Sequence, residues 1–212
     1  MNLYRKAIEA LDWGRASTTS QDAPAIVIGH RTPDGDCVMA ALAYAYLMKS
    51  LGYNEVARTA GKPNKETVFA AKAFGFELLE IAASVTSGDT LILVDHSDYV
   101  QAVEGARDAR ILQVIDHHGM GDVAESKLIY AKYMPVGSTC TIVYTSFKEL
   151  EVELTADIAR ILLAGIMADT LNLQKVTCTE VDRFVYQELV AVIAGAEGVS
   201  IGKSFEKIQE IY

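Results

Sequence analysis

Apolar positions fall in short unbroken runs along the first part of the chain and at helical spacing along the last part. The runs at 25–28, 90–94 and 111–115 are rich in Ile, Val and Leu. Such runs predict strands buried on both faces, the signature of a parallel sheet. Residues 54–58 and 77–81 are shorter strand candidates, and 128–133 reads as a strand at a sheet edge. Between them, 36–51 and 64–74 read as helices, the first stopped by Gly52, and a short helix is expected between the strands at 94 and 111. After Pro135 the spacing becomes helical over 138–150, 155–167 and 179–194, with Thr155 and Thr179 placed as N-caps. Leu3, Ala7, Ile8 and Leu11 predict a helix near the start, followed by a polar loop over 15–24. The pattern is that of an α/β fold, a mainly parallel sheet flanked by helices with a more helical C-terminal half. The expected organisation is an N-terminal helical extension and loop over 1–24, one domain over 25–194, and a linker over 195–212 ending in a short helix that would lead into a further domain.

Composition narrows the class. Half of the 212 residues are hydrophobic, enough for a sizeable core. The net charge of −9 argues against a nucleic-acid backbone as a long-range partner, and no basic stripe stands out along the chain, so no nucleic-acid partner is expected. No apolar run approaches the ~18 residues of a membrane span, and no membrane partner is expected. The first residues lack the basic-then-apolar layout of a secretion signal. Cys37, Cys140 and Cys178 show no C-x-x-C spacing and read as reduced thiols, which predicts a cytoplasmic protein.

The chemistry sits with the histidines. All four lie in three acidic segments: Gly29-His30-Arg31-Thr32-Pro33-Asp34-Gly35-Asp36, Val94-Asp95-His96-Ser97-Asp98 and Ile115-Asp116-His117-His118-Gly119. Each segment follows one of the strand-like runs. Open parallel sheets bind ligands at the carboxyl ends of their strands, so these segments should converge. Imidazole plus carboxylate at converging strand ends suits a divalent cation such as Mn²⁺, Fe²⁺, Co²⁺ or Zn²⁺. Pro33 and Gly35 shape a tight turn, and an extended Asp34–Asp36 pair would send both carboxylates the same way. An isolated Asp-x-Asp is usually a solvated turn; the joint occurrence of the three segments outweighs that reading.

The set His-x-x-Pro-Asp-x-Asp, Val-Asp-His and Asp-His-His resembles the DHH phosphoesterase superfamily. Gly61-Lys62-Pro63-Asn64-Lys65-Glu66-Thr67, Val136-Gly137-Ser138-Thr139-Cys140-Thr141-Ile142-Val143 and Gly165-Ile166-Met167-Ala168-Asp169-Thr170 are similar to segments of the catalytic domain of manganese-dependent (family II) inorganic pyrophosphatases. The resemblance runs in order from about Ile26 to Arg183. It implies two divalent cations per chain, Mn²⁺ or Co²⁺, with Mg²⁺ able to accompany the substrate. His30, Asp34 and Asp95 would hold the first cation; Asp36, His117 and Asp169 would hold the second, with Asp95 bridging both. A hydroxide shared by the cations would attack pyrophosphate, a small phosphoanhydride, in line. Asp95 and His118 would be catalytic, His118 facing the phosphates. Asp116 would orient a neighbouring imidazole, and His96 would lie near the site without ligating. Among Arg31, Arg58, Lys62, Lys65 and Lys175 a solvated surface charge is the favoured reading, with Lys175 retained as a substrate contact. Cys37 and Cys140 stand where the family carries small residues and are expected to pack. The resemblance leaves room for a homodimer.

The family pattern also includes a second domain that supplies Lys and Arg to the phosphates, and this chain stops about where that domain would begin. Slow turnover is therefore expected of the chain by itself. Two alternatives remain: a phosphodiesterase or phosphatase acting on short oligonucleotides, cyclic dinucleotides or nucleotide bisphosphates, and a metal-binding regulatory module with little turnover.

Overall fold

A computed structural model describes residues 23–200 apart from 127 and 129. The helix expected over 1–13 and the short helix expected after residue 202 lie outside the described residues.

Five strands form one sheet: β1 (Ala25–Ile28), β2 (Glu55–Arg58), β3 (Thr90–Val94), β4 (Arg110–Asp116) and β5 (Tyr130–Tyr133). Their order is β2-β1-β3-β4-β5, and every neighbouring pair is parallel. β5 takes the sheet edge, as its sequence predicts. Alternating side chains serve two cores. Val27, Ile92, Val94 and Ile115 face a large helical cluster, and Ile28, Leu91, Leu93 and Val114 face a smaller one closed by loop residues such as Val85, Ala102, Val103 and Val123. Burial on both faces explains the unbroken apolar runs.

The helical layer consists of α1 (Gly35–Ser50), α3 (Thr139–Glu149), α4 (Ala156–Thr170) and α5 (Glu180–Glu197), with α2 (Lys65–Phe74) beside them. α1 is apolar nearly all round because it is enclosed nearly all round, packing most heavily on α4. Tyr44 of α1 donates a 2.6 Å hydrogen bond to Gln113 Oε1, satisfying a polar residue buried in β4. Thr155 caps α4, and Thr179 forms a capping box with Asp182 at the start of α5.

Three expectations change. Residues 77–81 make no strand beyond an isolated bridge between Ile81 and Thr59; Leu78 and Ile81 are exposed and have no face to pack on. The segment between β3 and β4 contains turns and no helix. It is fixed instead by Gly105, whose φ of +85° lets it pass against the Val85 carbonyl, where a Cβ would lie only 2.0 Å away. α5 runs to Glu197, three residues into the expected linker, before Gly198 ends it in a left-handed cap.

The strand order has a functional consequence. The chain moves outward from β1 to β2, then crosses back to place β3 on the other side of β1. That reversal opens a crevice at the carboxyl ends of β1 and β3.

Candidate metal centre

His30 follows β1, Asp95 follows β3 and His117 follows β4, so all three emerge at this crevice. Asp95 sits there at φ +63°, a left-handed conformation rare for a residue with a side chain, held by its N–H donating to the Ile115 carbonyl at 2.9 Å. The pair Asp34 and Asp36 departs from the extended geometry expected of it. Asp34 is the extended N-cap of α1, accepting from the Cys37 N–H at 3.1 Å, whereas Asp36 already lies in the first helical turn. The two carboxylates therefore part and serve different clusters.

One cluster joins His30, Asp34, Cys37 and Asp95, and another joins Asp36, His117 and Asp169; a third grouping links Asp95 with His117 and His118. Donor atoms within each group lie within 4.8 Å of one another. His30 Nε2 is 3.5 Å from both Asp34 and Asp95. His117 Nε2 is 3.4 Å from Asp95 and 3.3 Å from Asp169. Asp95 thus stands between the clusters. An acidic hollow of about 130 Å³, lined by Asp34, Asp36, Glu66 and Asp169, opens beside them.

Asp36 is clamped by the start of α3. Its Oδ1 accepts from Ser138 Oγ at 2.7 Å and the Cys140 N–H at 3.0 Å, and its Oδ2 accepts from the Thr139 N–H at 2.6 Å. Thr139 Oγ1 donates to Asp95 Oδ1 at 2.8 Å. A helix N-terminus favours negative charge, so α3 is aimed at the carboxylates of the site. Gly165 of α4 permits this approach, since a Cβ there would lie 2.3 Å from Cys140 Sγ and 3.2 Å from Asp36 Oδ1.

The donor chemistry fits a cation. His117 Nδ1–H donates to the Val136 carbonyl at 2.9 Å, which leaves the Nε2 lone pair aimed at two carboxylates with no donor between them. Only a proton or a metal ion relieves that arrangement. In the protein without metal the proton does so. Burial alone would lower His117, but Asp95 and Asp36 outweigh it and raise its pKa to about 10. His30 is likewise buried yet held far above its ordinary value by Asp34 and Asp95. Burial pushes the Asp36 carboxyl well above the usual range, with Asp95 and Asp169 adding to the rise and His117 opposing it. Burial would raise Asp95 too; hydrogen bonds from His117 and His30 reverse that and hold it low. Imidazole and carboxylate donors suit Mn²⁺ or Co²⁺. The Cys37 thiol, raised to about 12 by burial, stays protonated and packs.

His118 lies on the open side. Asp116 Oδ1 accepts from its N–H at 3.0 Å and contacts its Nδ1 at 2.9 Å, which raises the imidazole pKa. The imidazole that Asp116 orients is thus that of His118, not His117. His96 donates from Nδ1 to the Val94 carbonyl at 2.9 Å, is lowered by burial, and packs edge-on to His30 outside both clusters. Lys175 Nζ lies 2.9 Å from Asp169 Oδ1.

The sequence reading missed the roles of Ser138, Thr139 and Asp182. Asp182 is fully buried and accepts from the Gly137 N–H, Thr141 Oγ1 and Thr179, tying the start of α5 to the segment that clamps Asp36. The spacing Thr179-x-x-Asp182 was the available signal.

Residues 24–166 match the DHH family, N-terminal domain. The chain is 39% identical over 173 residues to a probable manganese-dependent inorganic pyrophosphatase of Lactobacillus delbrueckii subsp. bulgaricus, covering 81% of this chain and 55% of that protein. It is 39% identical over 178 residues to a protein of the same description from Bacillus licheniformis, covering 84% and 57%. The fold overlays a putative family II inorganic pyrophosphatase of Methanococcus jannaschii with a TM-score of 0.74 at 28% identity, covering 86% of this chain and 60% of that one. An exopolyphosphatase-related protein of Bacteroides fragilis shares the fold at a TM-score of 0.67 and 14% identity, covering 99% of this chain and 61% of that one. The chain therefore spans a little over half the length of these curated relatives.

Proposed function

The chain belongs to the DHH family, and we propose that it hydrolyses inorganic pyrophosphate to two phosphates with two divalent cations, Mn²⁺ or Co²⁺. The observation that carries this reading is the pair of donor clusters meeting at Asp95, with His118 beside them on the open side. His30, Asp34 and Asp95 would hold one cation, and Asp36, His117 and Asp169 the other, with Asp95 shared. When bound, such a pair supplies Lewis acidity and a water molecule of lowered pKa. The protein's own part is positional. Val136 fixes the His117 tautomer, and Ser138 and Thr139 fix the carboxylate rotamers. His118 is anchored by Asp116 through Nδ1 on the open side, and that contact raises its pKa, which favours the protonated imidazole able to donate to the departing phosphate.

The manganese dependence named for the relatives supports the choice of metal, and their named substrate supports a small phosphoanhydride over an oligonucleotide. Cys37, Cys140 and Cys178 are free thiols, which supports action in a reducing compartment such as the cytoplasm. No helix among the described residues is long and apolar enough to cross a membrane.

Phosphate release from pyrophosphate by the Mn²⁺-loaded chain tests the proposal, beside short oligonucleotides, cyclic dinucleotides and nucleotide bisphosphates. Preference for pyrophosphate is expected. Turnover of any phosphodiester above pyrophosphate would replace this reading with the phosphodiesterase one.

A further inference from the structure

α4 ends in an unusual turn. Leu171, Asn172 and Leu173 all adopt positive φ, at 48°, 52° and 66°, and none of them is glycine. Consecutive left-handed residues with side chains persist only where the surroundings impose them. Here the imposition is visible. The Asn172 N–H donates to the Met167 carbonyl at 2.8 Å, the Leu173 N–H to Thr170 Oγ1 at 3.0 Å, and the Lys175 N–H to the Thr170 carbonyl at 2.8 Å. Arg183 Nη2 holds the Leu173 carbonyl at 2.9 Å.

The product of this turn is a chain folded back over the end of its own helix, with Lys175 Nζ donating to Asp169 Oδ1 at 2.9 Å. The other oxygen of Asp169, Oδ2, faces His117 Nε2 at 3.3 Å. One carboxylate is thus divided between the metal cluster and an ammonium group. Four carboxylates, those of Asp34, Asp36, Asp95 and Asp169, match the charge of two divalent cations, and the imidazoles are neutral when they ligate. Lys175 adds a positive charge directly to one of those four carboxylates.

We propose that Lys175 is a positioning residue that sets the charge of the metal centre, weakening its hold on the second cation while making the loaded centre more attractive to an anionic phosphoanhydride. The proposal rests on the pyrophosphatase reading for its substrate half only. A surface ion pair made for stability alone would need no strained turn and would contribute little. An ammonium held on a ligand carboxylate opposes a cation at the same group and favours an incoming anion. Its removal should therefore move the two affinities in opposite directions, which a general loosening of the site cannot do.

Lys175→Gln and Lys175→Arg carry the test, the first removing the charge at similar length and the second keeping it. Calorimetric titration with Mn²⁺ alone should show one dissociation constant falling about tenfold in Lys175→Gln, the scale of one partly solvated unit charge a few ångströms from a divalent cation in a water-like dielectric of ~80. KM for pyrophosphate should rise several-fold with kcat little changed, and Lys175→Arg should restore both. Weaker or unchanged Mn²⁺ binding in a folded Lys175→Gln overturns the proposal, whatever happens to hydrolysis. Tighter Mn²⁺ binding with no pyrophosphate hydrolysis by any variant upholds the metal half and overturns the substrate reading instead.

Discussion

Asp95 answers to both clusters at once. It is buried, it accepts from Thr139 Oγ1, and its two oxygens face His30 and His117 at 3.5 and 3.4 Å. Its left-handed backbone makes Asn the informative replacement, because Asn tolerates that conformation and changes only the charge. Asp95→Asn is expected to lose both cations, whereas Asp36→Asn should lose the second and spare the first, since Asp36 touches neither His30 nor Asp34. Metal content after dialysis at fixed free Mn²⁺ reads the difference. Two ions retained by Asp95→Asn at near-native affinity would show that it is no bridge. At this scale the sequence spoke clearly about the ligand candidates, because imidazoles and carboxylates clustered after apolar runs have few other uses. It was silent on Ser138 and Thr139. A hydroxyl at a helix start reads as a cap for its own helix, and Ser138 does accept from the Cys140 N–H; that it also donates to a carboxylate 102 positions earlier is invisible without the fold.

Elements bring these residues into register, and the closest approach is between α1, α3 and α4. Gly165 is the contact point. A methyl there would overlap Cys140 Sγ at 2.3 Å and press on Met39 and Asp36 Oδ1 at 3.1 and 3.2 Å. Gly165→Ala should therefore destabilise the protein by about 1–3 kcal/mol, as overpacking of a close-packed core does, and should weaken the second cation by displacing Asp36. Adding Cys140→Ala removes the sulfur in the way. The double substitution is expected to recover part of the lost Tm in a thermal melt; melts that simply add would show that the methyl clashes elsewhere. The strands were legible because burial on both faces leaves an unbroken apolar run, and the helices because their caps are conventional. The connection from β3 to β4 was misread as a short helix. Its conformation depends on Gly105 meeting Val85 and on pairing of Ser84 with Glu104, contacts that local spacing does not encode.

For the whole molecule the strand order decides where the charge collects. The reversal between β1 and β3 gathers Asp34, Asp36, Asp95 and Asp169 at one end of the sheet, over a core that cannot hydrate them. Cations that bind the folded state alone stabilise it by mass action, by about 2.7 kcal/mol at a hundredfold excess over Kd. Chelation of the loaded protein should then lower Tm by about 5–10 °C for a chain of this size. The size of that loss should depend on pH in a set direction. Without metal, His117 carries a proton in the folded state with a pKa of about 10, raised from an ordinary value of 6.5 by Asp95 and Asp36 against the effect of burial. A raised pKa contributes stability that is complete below the unfolded value and disappears as pH climbs through the folded one. The metal-free protein should thus lose stability steadily between pH 6.5 and 10, as the proton standing in for the cation leaves and the carboxylates face one another unshielded. The loaded protein has no such proton to lose, so the Tm gap between the two forms should widen from pH 7 to pH 9.5. A constant gap across that range would mean that no shared proton occupies the empty cluster, and the electrostatic account of the site would fall with it.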